Sequence, residues 1–354
     1  MTGVADALDE VAAIAQRLAV LLAAGVTPER AWGFLGPRTL EPRAKPGERA
    51  EPAERAATPL LEERAKPAER ASRKELSDAV LSAAAVTAQR AGDVAAAITA
   101  ECTQTPPFGA ARHRAVAWGL FAATWSVAMS SGAPPAAALQ SFAAGIRRAA
   151  ALHRELGVAF AGPRATARLV GLLPLVALGF GAMLGFDTVH VLAATPVGWA
   201  CLGGGIALMV GARRWSGRLL AAAEPQELVP GLLPELVAVA MGSGAPVGRA
   251  RQLAASALRE HAPFLGGEAL DADEEAVDGV LELAARAGAP TIGLLVAEAE
   301  RRRADADAAG RAAAASVAVR LVVPLAVCVL PAFMLLGVVP VLVALLSGTG
   351  IHFG

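Results

Sequence analysis

The chain has 354 residues, enough for two ordinary domains, yet 55% are hydrophobic, 4% aromatic and none is tyrosine. With a mean hydropathy of +0.49, this profile excludes an ordinary soluble pair of domains and points to apolar surface that meets lipid. Its 32 basic and 32 acidic residues cancel, so no global field recruits nucleic acid, and any electrostatic partnership must be local.

The N-terminal stretch carries Asp6, Asp9 and Glu10 where an export signal would be basic, so insertion is expected to rely on internal segments. An apolar helix then ends at Gly25 and a new one starts at Pro28. Between 37 and 75 the composition turns to Pro, Glu, Arg and Ala, and Ala44-Lys-Pro-Gly-Glu-Arg-Ala50 recurs as Ala65-Lys-Pro-Ala-Glu-Arg-Ala71. Such a segment buries too little apolar surface to offset ordering entropy and reads as a disordered insertion, either a solvated tether or a partner-docking arm. It interrupts a helical bundle expected over residues 1–162, in which His113 and His153 read as solvated helix residues.

Two uncharged apolar stretches follow, 169–186 and 191–212, joined only by Asp187, Thr188, Val189 and His190. Each is about as long as a helix that crosses a bilayer core, and together they predict a transmembrane hairpin. Gly181 and Gly185 form a Gly-x-x-x-Gly pair on the first of them. A second helical bundle is expected over 219–311. Its cluster Asp271, Asp273, Glu274, Glu275 and Asp278 reads as acid complementing the start of a helix, with a docking face for a basic partner as the alternative. The last apolar stretch, 321–346, predicts a third span that Pro324, Pro331 and Pro340 should kink. Arginines flank the spans at Arg164, Arg168, Arg213, Arg214, Arg218 and Arg320, whereas the hairpin loop and the tail have no Lys or Arg. The bundles and the N-terminus are therefore expected in the cytoplasm and the C-terminus outside it.

One pattern recurs four times. Gly25 with Pro28, Gly132 with Pro134, Gly244 with Pro246 and Gly288 with Pro290 each follow an apolar helix. The glycine suits a left-handed C-cap and the proline pre-sets the next helix, giving an αα-hairpin with a short elbow. Two elbows precede the hairpin and two follow it, as in a duplicated architecture.

Catalytic motifs are not evident. No phosphate-binding Gly-x-x-x-x-Gly-Lys-Ser/Thr loop occurs, Gly203 to Gly205 sit in an apolar stretch with no lysine following, and the five histidines are scattered. Cys102, Cys201 and Cys328 lie too far apart for a metal pair and read as small buried hydrophobes. The apolar stretches hold no ionisable residue of the kind that ion-coupled transporters use. The reading is of a chain that is not an enzyme and needs no cofactor.

The helix and elbow from Leu18 to Ala31, the matching stretch from Leu236 to Ala250, and Arg301-Arg302-Arg303 running through Arg320 into the Pro-rich end together resemble the type II secretion F-domain family. This family comprises platform proteins of type II secretion and type IV-like pili, and the tight-adherence (Flp) branch is the nearest in pattern. The resemblance implies an all-α membrane protein with two cytoplasmic helical bundles and three transmembrane helices in the bacterial inner membrane. It implies a platform that couples a pilus-assembly or secretion ATPase to pilin-like subunits, with a paralogous platform protein as a further partner. The elbow residues and Arg301, Arg302 and Arg303 are the expected partner contacts. A membrane scaffold or sensor that binds a signalling partner is the competing class.

Overall fold

The computed structural model describes residues 2–36, 67–104, 110–162, 196–222, 228–265 and 267–339, with isolated positions between 165 and 183 and at 342. Every regular element among them is helical, as expected. In chain order they are α1 (Thr2–Ala23), α2 (Pro28–Leu35), α3 (Pro67–Gln89), α4 (Val94–Gln104), α5 (Ala110–Ser131), α6 (Pro135–Ala159) and α7 (Pro196–Ala222). Then follow α8 (Leu232–Gly242), α9 (Val247–His261), α10 (Gly267–Ala287), α11 (Thr291–Arg320), α12 (Val322–Pro324), a π turn (Leu325–Val329), α13 (Leu330–Phe333) and a second π turn (Met334–Val338).

The chain divides into two compact units, one of residues 1–154 and 227–306, the other of 155–226 and 307–354. The two stretches expected as separate bundles thus build one unit, and α5 is the reason. From Ala115 to Ala128 it is almost wholly buried, with Thr124 and Ser126 its only polar side chains, and such a helix must be surrounded. It packs against α1 and α4 from the first stretch and against α8 and α9 from the second. Gly119 permits the closest of these approaches, because a Cβ there would lie 2.5 Å from the His261 carbonyl oxygen. Around α5, Trp32, Trp118, Phe121, Trp125 and Phe142 meet edge to face with ring centroids 5.5 to 5.8 Å apart, an arrangement that adds roughly 0.5–1.5 kcal/mol per pair beyond burial.

The expected insertion is shorter than its composition implies. Residues 67–75 are the first turns of α3: Pro67 suits a first helical position, and the Ala, Glu, Arg and Lys after it are strong helix formers. Residues 37–66 lie outside the described residues.

In the second unit α7 runs antiparallel to the C-terminal helical stretch. Gly204 and Gly205 meet Leu335 and Leu336, and Ala212 clusters with Cys328 and Val329. A Cβ on Gly205 would fall 2.3 Å from Leu336 Cγ, so small residues set this approach. The disruption expected at the prolines takes the form of π turns on either side of Pro331, which accommodate the missing N–H. Among the described residues no helix is long and apolar enough to cross a membrane. Of the expected spans, 169–186 with its Gly181 and Gly185 lies outside the described residues apart from isolated positions. The second, described from 196, is the apolar start of α7, which Arg213 and Arg214 cut short. The third, described to 339, is divided by the π turns. Leu321, Val329 and Leu336 of this unit are buried, but Trp199, Ile206 and Val210 on α7, Val319 at the end of α11, and Val323, Val327, Leu330 and Met334 on the C-terminal stretch are all exposed.

Candidate functional site

All four expected elbow glycines take up the left-handed backbone that only glycine adopts without strain, with φ of +83° at Gly25, +72° at Gly132, +95° at Gly244 and +62° at Gly288. The hydrogen bonds are those of a Schellman cap. Val26 N–H donates to the Leu21 carbonyl at 3.1 Å, Ala245 to Ala240 at 3.3 Å and Ala289 to Ala284 at 3.2 Å. At Gly132 a hydroxyl intervenes: Ala133 N–H donates to Ser131 Oγ at 3.3 Å, and Ser131 Oγ donates to the Ala128 carbonyl at 3.4 Å. Two residues past each glycine, the carbonyls of Thr27, Pro134, Pro246 and Pro290 accept the first bond of the next helix. Pro28 therefore occupies the first helical position, whereas Pro134, Pro246 and Pro290 stand one place earlier at the cap.

A fifth elbow, between α3 and α4, escaped sequence reasoning. Ala91 holds the left-handed position at φ +52°, Gly92 N–H donates to the Thr87 carbonyl at 2.9 Å, and Asp93 Oδ1 caps α4 by accepting from Ala96 N–H at 3.1 Å. Its only sequence signal is Gly92 followed by an N-capping Asp93. This elbow, the start of α2 and the end of α5 enclose an open groove of about 360 Å³ lined by Pro28, Glu29, Ala91, Asp93, Trp125 and Met129 among others. Glu29, at the first turn of α2, has its carboxyl held below the usual range by its own backbone N–H and by the Thr27 hydroxyl. Gly244, Pro246, Gly288 and Pro290 do not line this groove.

Of the expected partner contacts Arg301, Arg302 and Arg303, the last two are drawn into ion pairs within the fold and Arg301 stays exposed. Arg303 is buried and paired with buried Glu235 of α8. Burial, with the like charge of Arg148, pushes its guanidinium down to about 10, so it keeps its charge at neutral pH. Arg302 Nε lies 2.7 Å from Asp273 Oδ1 of α10, and Asp273 Oδ2 accepts from Leu233 N–H at 3.4 Å. Arg301 is exposed and pairs within its own helix with Glu298 and Asp305, each at 2.6 Å; its bond holds the Glu298 carboxyl below the usual range. Gly231, at φ +70°, lets the start of α8 approach α11 so closely that a Cβ would sit 2.8 Å from the Ala299 carbonyl. These residues clamp α11 against α8 and α10. A run of like charges in sequence says nothing of the carboxylates that folding brings to it.

The acidic cluster is absorbed in the same way. Helix α10 opens at Gly267 with Glu268 in its first turn, so the cluster lies beyond reach of the helix start. Asp273 pairs with Arg302, Glu274 with Arg259, and Asp278 with Arg251 at 2.9 Å. Three of the five are thus held in ion pairs within the fold, which corrects the dipole reading, while Asp271 and Glu275 stay exposed. His153 is buried beside His113, with ring centroids 5.8 Å apart, and so is not the solvated residue expected. Among the described residues no group of three His, Cys, Asp or Glu could hold a metal ion. Compared with protein-family models, curated proteins and solved structures, the chain matches none.

Proposed function

We propose that this chain is the platform subunit of a type IV-like (Flp) pilus-assembly or type II secretion machine in the bacterial inner membrane, coupling a cytoplasmic ATPase to pilin polymerisation without enzymatic chemistry of its own. The observation that carries the reading is where the apolar side chains go. The first unit buries a large core around α5 but leaves Val20, Phe34, Leu283 and Val296 exposed, whereas α7 and the C-terminal stretch set exposed Trp199, Ile206, Val210, Val323, Val327 and Leu330 along one helix pair; outward apolar rows of this kind mark lipid or protein contact. The repeated elbows and the C-terminal pattern behind the family resemblance supply the machine. In this reading the first unit is cytoplasmic and receives motion from the ATPase, while the second engages lipid and the pilin's own membrane helix.

The test is affinity purification of the tagged full-length chain from cross-linked membranes of its host, with mass spectrometry of what is retained. A secretion ATPase together with a pilin-like protein is the expected recovery. A response regulator or similar signalling protein, with neither of those, replaces the platform by a membrane sensor.

A further inference from the structure

We infer that one end of the α7 and C-terminal helix pair is a binding site for anionic phospholipid headgroups, built from Arg213, Arg214, Arg218 and Arg320 with Trp215 at its edge; the inference rests on the membrane reading above. The antiparallel register that sets Gly205 against Leu336 and Ala212 beside Cys328 and Val329 carries Arg320 to the same end of the pair as the three arginines of α7. All four guanidinium side chains belong to exposed residues, and none pairs with a carboxylate of a described residue. The contrast lies within the same unit, where Arg311 is held by Glu155 at 3.1 Å. In the first unit the exposed Arg251 and Arg301 find acidic partners, and those that find none among the described residues, such as Arg17 and Arg249, are scattered along different helices.

Like charge gathered at one end of a helix pair raises the local concentration of anions. What lies beside it selects the kind of anion. Trp215 is 42% exposed and the outward row of Ile206, Val210, Val323 and Val327 starts within a few turns of the arginines. A free phosphate has no use for that apolar row. A phospholipid meets both, with its phosphate on the guanidiniums, its acyl chains along the aliphatic row, and the indole at the boundary between them. Net neutrality of the chain does not oppose this, because the field of a headgroup layer is felt only within about a Debye length, roughly 8–10 Å.

The experiment starts by extracting membranes with alkaline carbonate. Recovery of the chain in the supernatant overturns the membrane reading and this inference together. With the chain in the pellet, the full-length protein is purified in neutral detergent, and its retention of phosphatidylglycerol and of phosphatidylcholine is compared by native mass spectrometry. Phosphatidylglycerol should be preferred, and each Arg→Gln change among Arg213, Arg214, Arg218 and Arg320 should weaken that preference roughly fivefold. The fourfold Arg→Lys variant should retain most of it, which separates lost charge from lost folding. Equal retention of the two lipids, or an unchanged preference in the fourfold Arg→Gln variant, overturns the headgroup site and leaves the platform reading standing. Competition by inorganic phosphate at the lipid's own concentration also overturns it, in favour of a free-anion site.

Discussion

The two units solve the same problem of apolar excess in opposite ways. The first wraps helices from two distant stretches around α5, and its charges meet across helices: Arg114 with Glu10 at 3.4 Å, Arg154 with Asp9, Arg259 with Glu274, Arg303 with Glu235. The second pairs α7 with the C-terminal stretch through glycine and small residues, turns a row of large aliphatic side chains outward and, among the described residues, leaves four arginines without a carboxylate. A body that buries a core of this size and ties its helices with ion pairs can act as a rigid part. A helix pair that sets an apolar row beside clustered arginines depends more on what surrounds it, and this difference is what the proposed division between cytoplasm and membrane rests on.

The largest effects should come from breaking the self-sufficiency of the first unit. Truncating Arg303 to Ala leaves the Glu235 carboxylate buried without its partner, and such a loss costs about 3–5 kcal/mol. Replacing both by apolar residues, Glu235→Leu with Arg303→Met, should recover most of it. Arg301→Ala, which removes an exposed side chain, should be indistinguishable from the parent. All are read as denaturation midpoints of the purified full-length chain; a neutral Arg303→Ala would remove the clamp on α11 from the comparison.

Next come the close approaches, where the two units should differ. An alanine normally improves on glycine inside a helix by about 1 kcal/mol. At Gly119 the added Cβ meets the His261 backbone, which cannot step aside, so Gly119→Ala should destabilise by about 1–3 kcal/mol. At Gly205 the obstacle is the Leu336 side chain, which can rotate, so the loss should be smaller. Gly279 has nothing within 4 Å, and Gly279→Ala should stabilise. A gain at Gly119 would mean that α5 and the end of α9 are not in close contact.

Alkaline pH tests the dryness of the same core. Burial, reinforced by Glu101, pushes the Cys102 thiol up to about 12 from an ordinary 9.0. The folded protein holds this proton where the unfolded chain releases it, so stability is undiminished below pH 9 and falls as pH rises from there towards 12. The loss is about 1 kcal/mol at pH 10, and Cys102→Ala should abolish that part of the pH dependence. Alkylation of Cys102 at pH 8 should proceed only as fast as unfolding exposes it.

Much of this was legible in the sequence where punctuation is local. Glycine followed closely by proline marks four elbows because each residue type has a conformational reason to be there, and the all-helical class follows from the same marks. Long-range pairing was not legible. Nothing near Arg302 or Arg303 in the chain announces Asp273 or Glu235, so the clamp they form could not be read there. Composition also misled: the Lys-Pro-Ala-Glu-Arg run that reads as a tether is, from Pro67 onward, the start of α3. That α5 needs helices from both stretches could be seen only once its apolar faces were counted against the neighbours available to cover them.

The smallest effect concerns the elbow that sequence reasoning missed. Ala91 sits at φ +52°, a conformation that costs an L-residue roughly 1–2 kcal/mol. Glycine would relieve that strain but would add freedom to the unfolded chain, worth roughly 0.5–1 kcal/mol in the other direction. The balance predicts that Ala91→Gly stabilises by about 0.5 kcal/mol, a rise in Tm of about 1–2 °C for a unit of this size. Gly244→Ala, which imposes the same strain where nothing else would meet the new Cβ, should shift Tm the other way. The opposite signs matter more than the sizes: a β-carbon removed and a β-carbon added at equivalent places in two elbows should move stability in opposite directions only if the backbone conformation is shared. If Ala91→Gly instead lowers Tm, the turn between α3 and α4 is held by contacts other than its cap and does not belong with the other four.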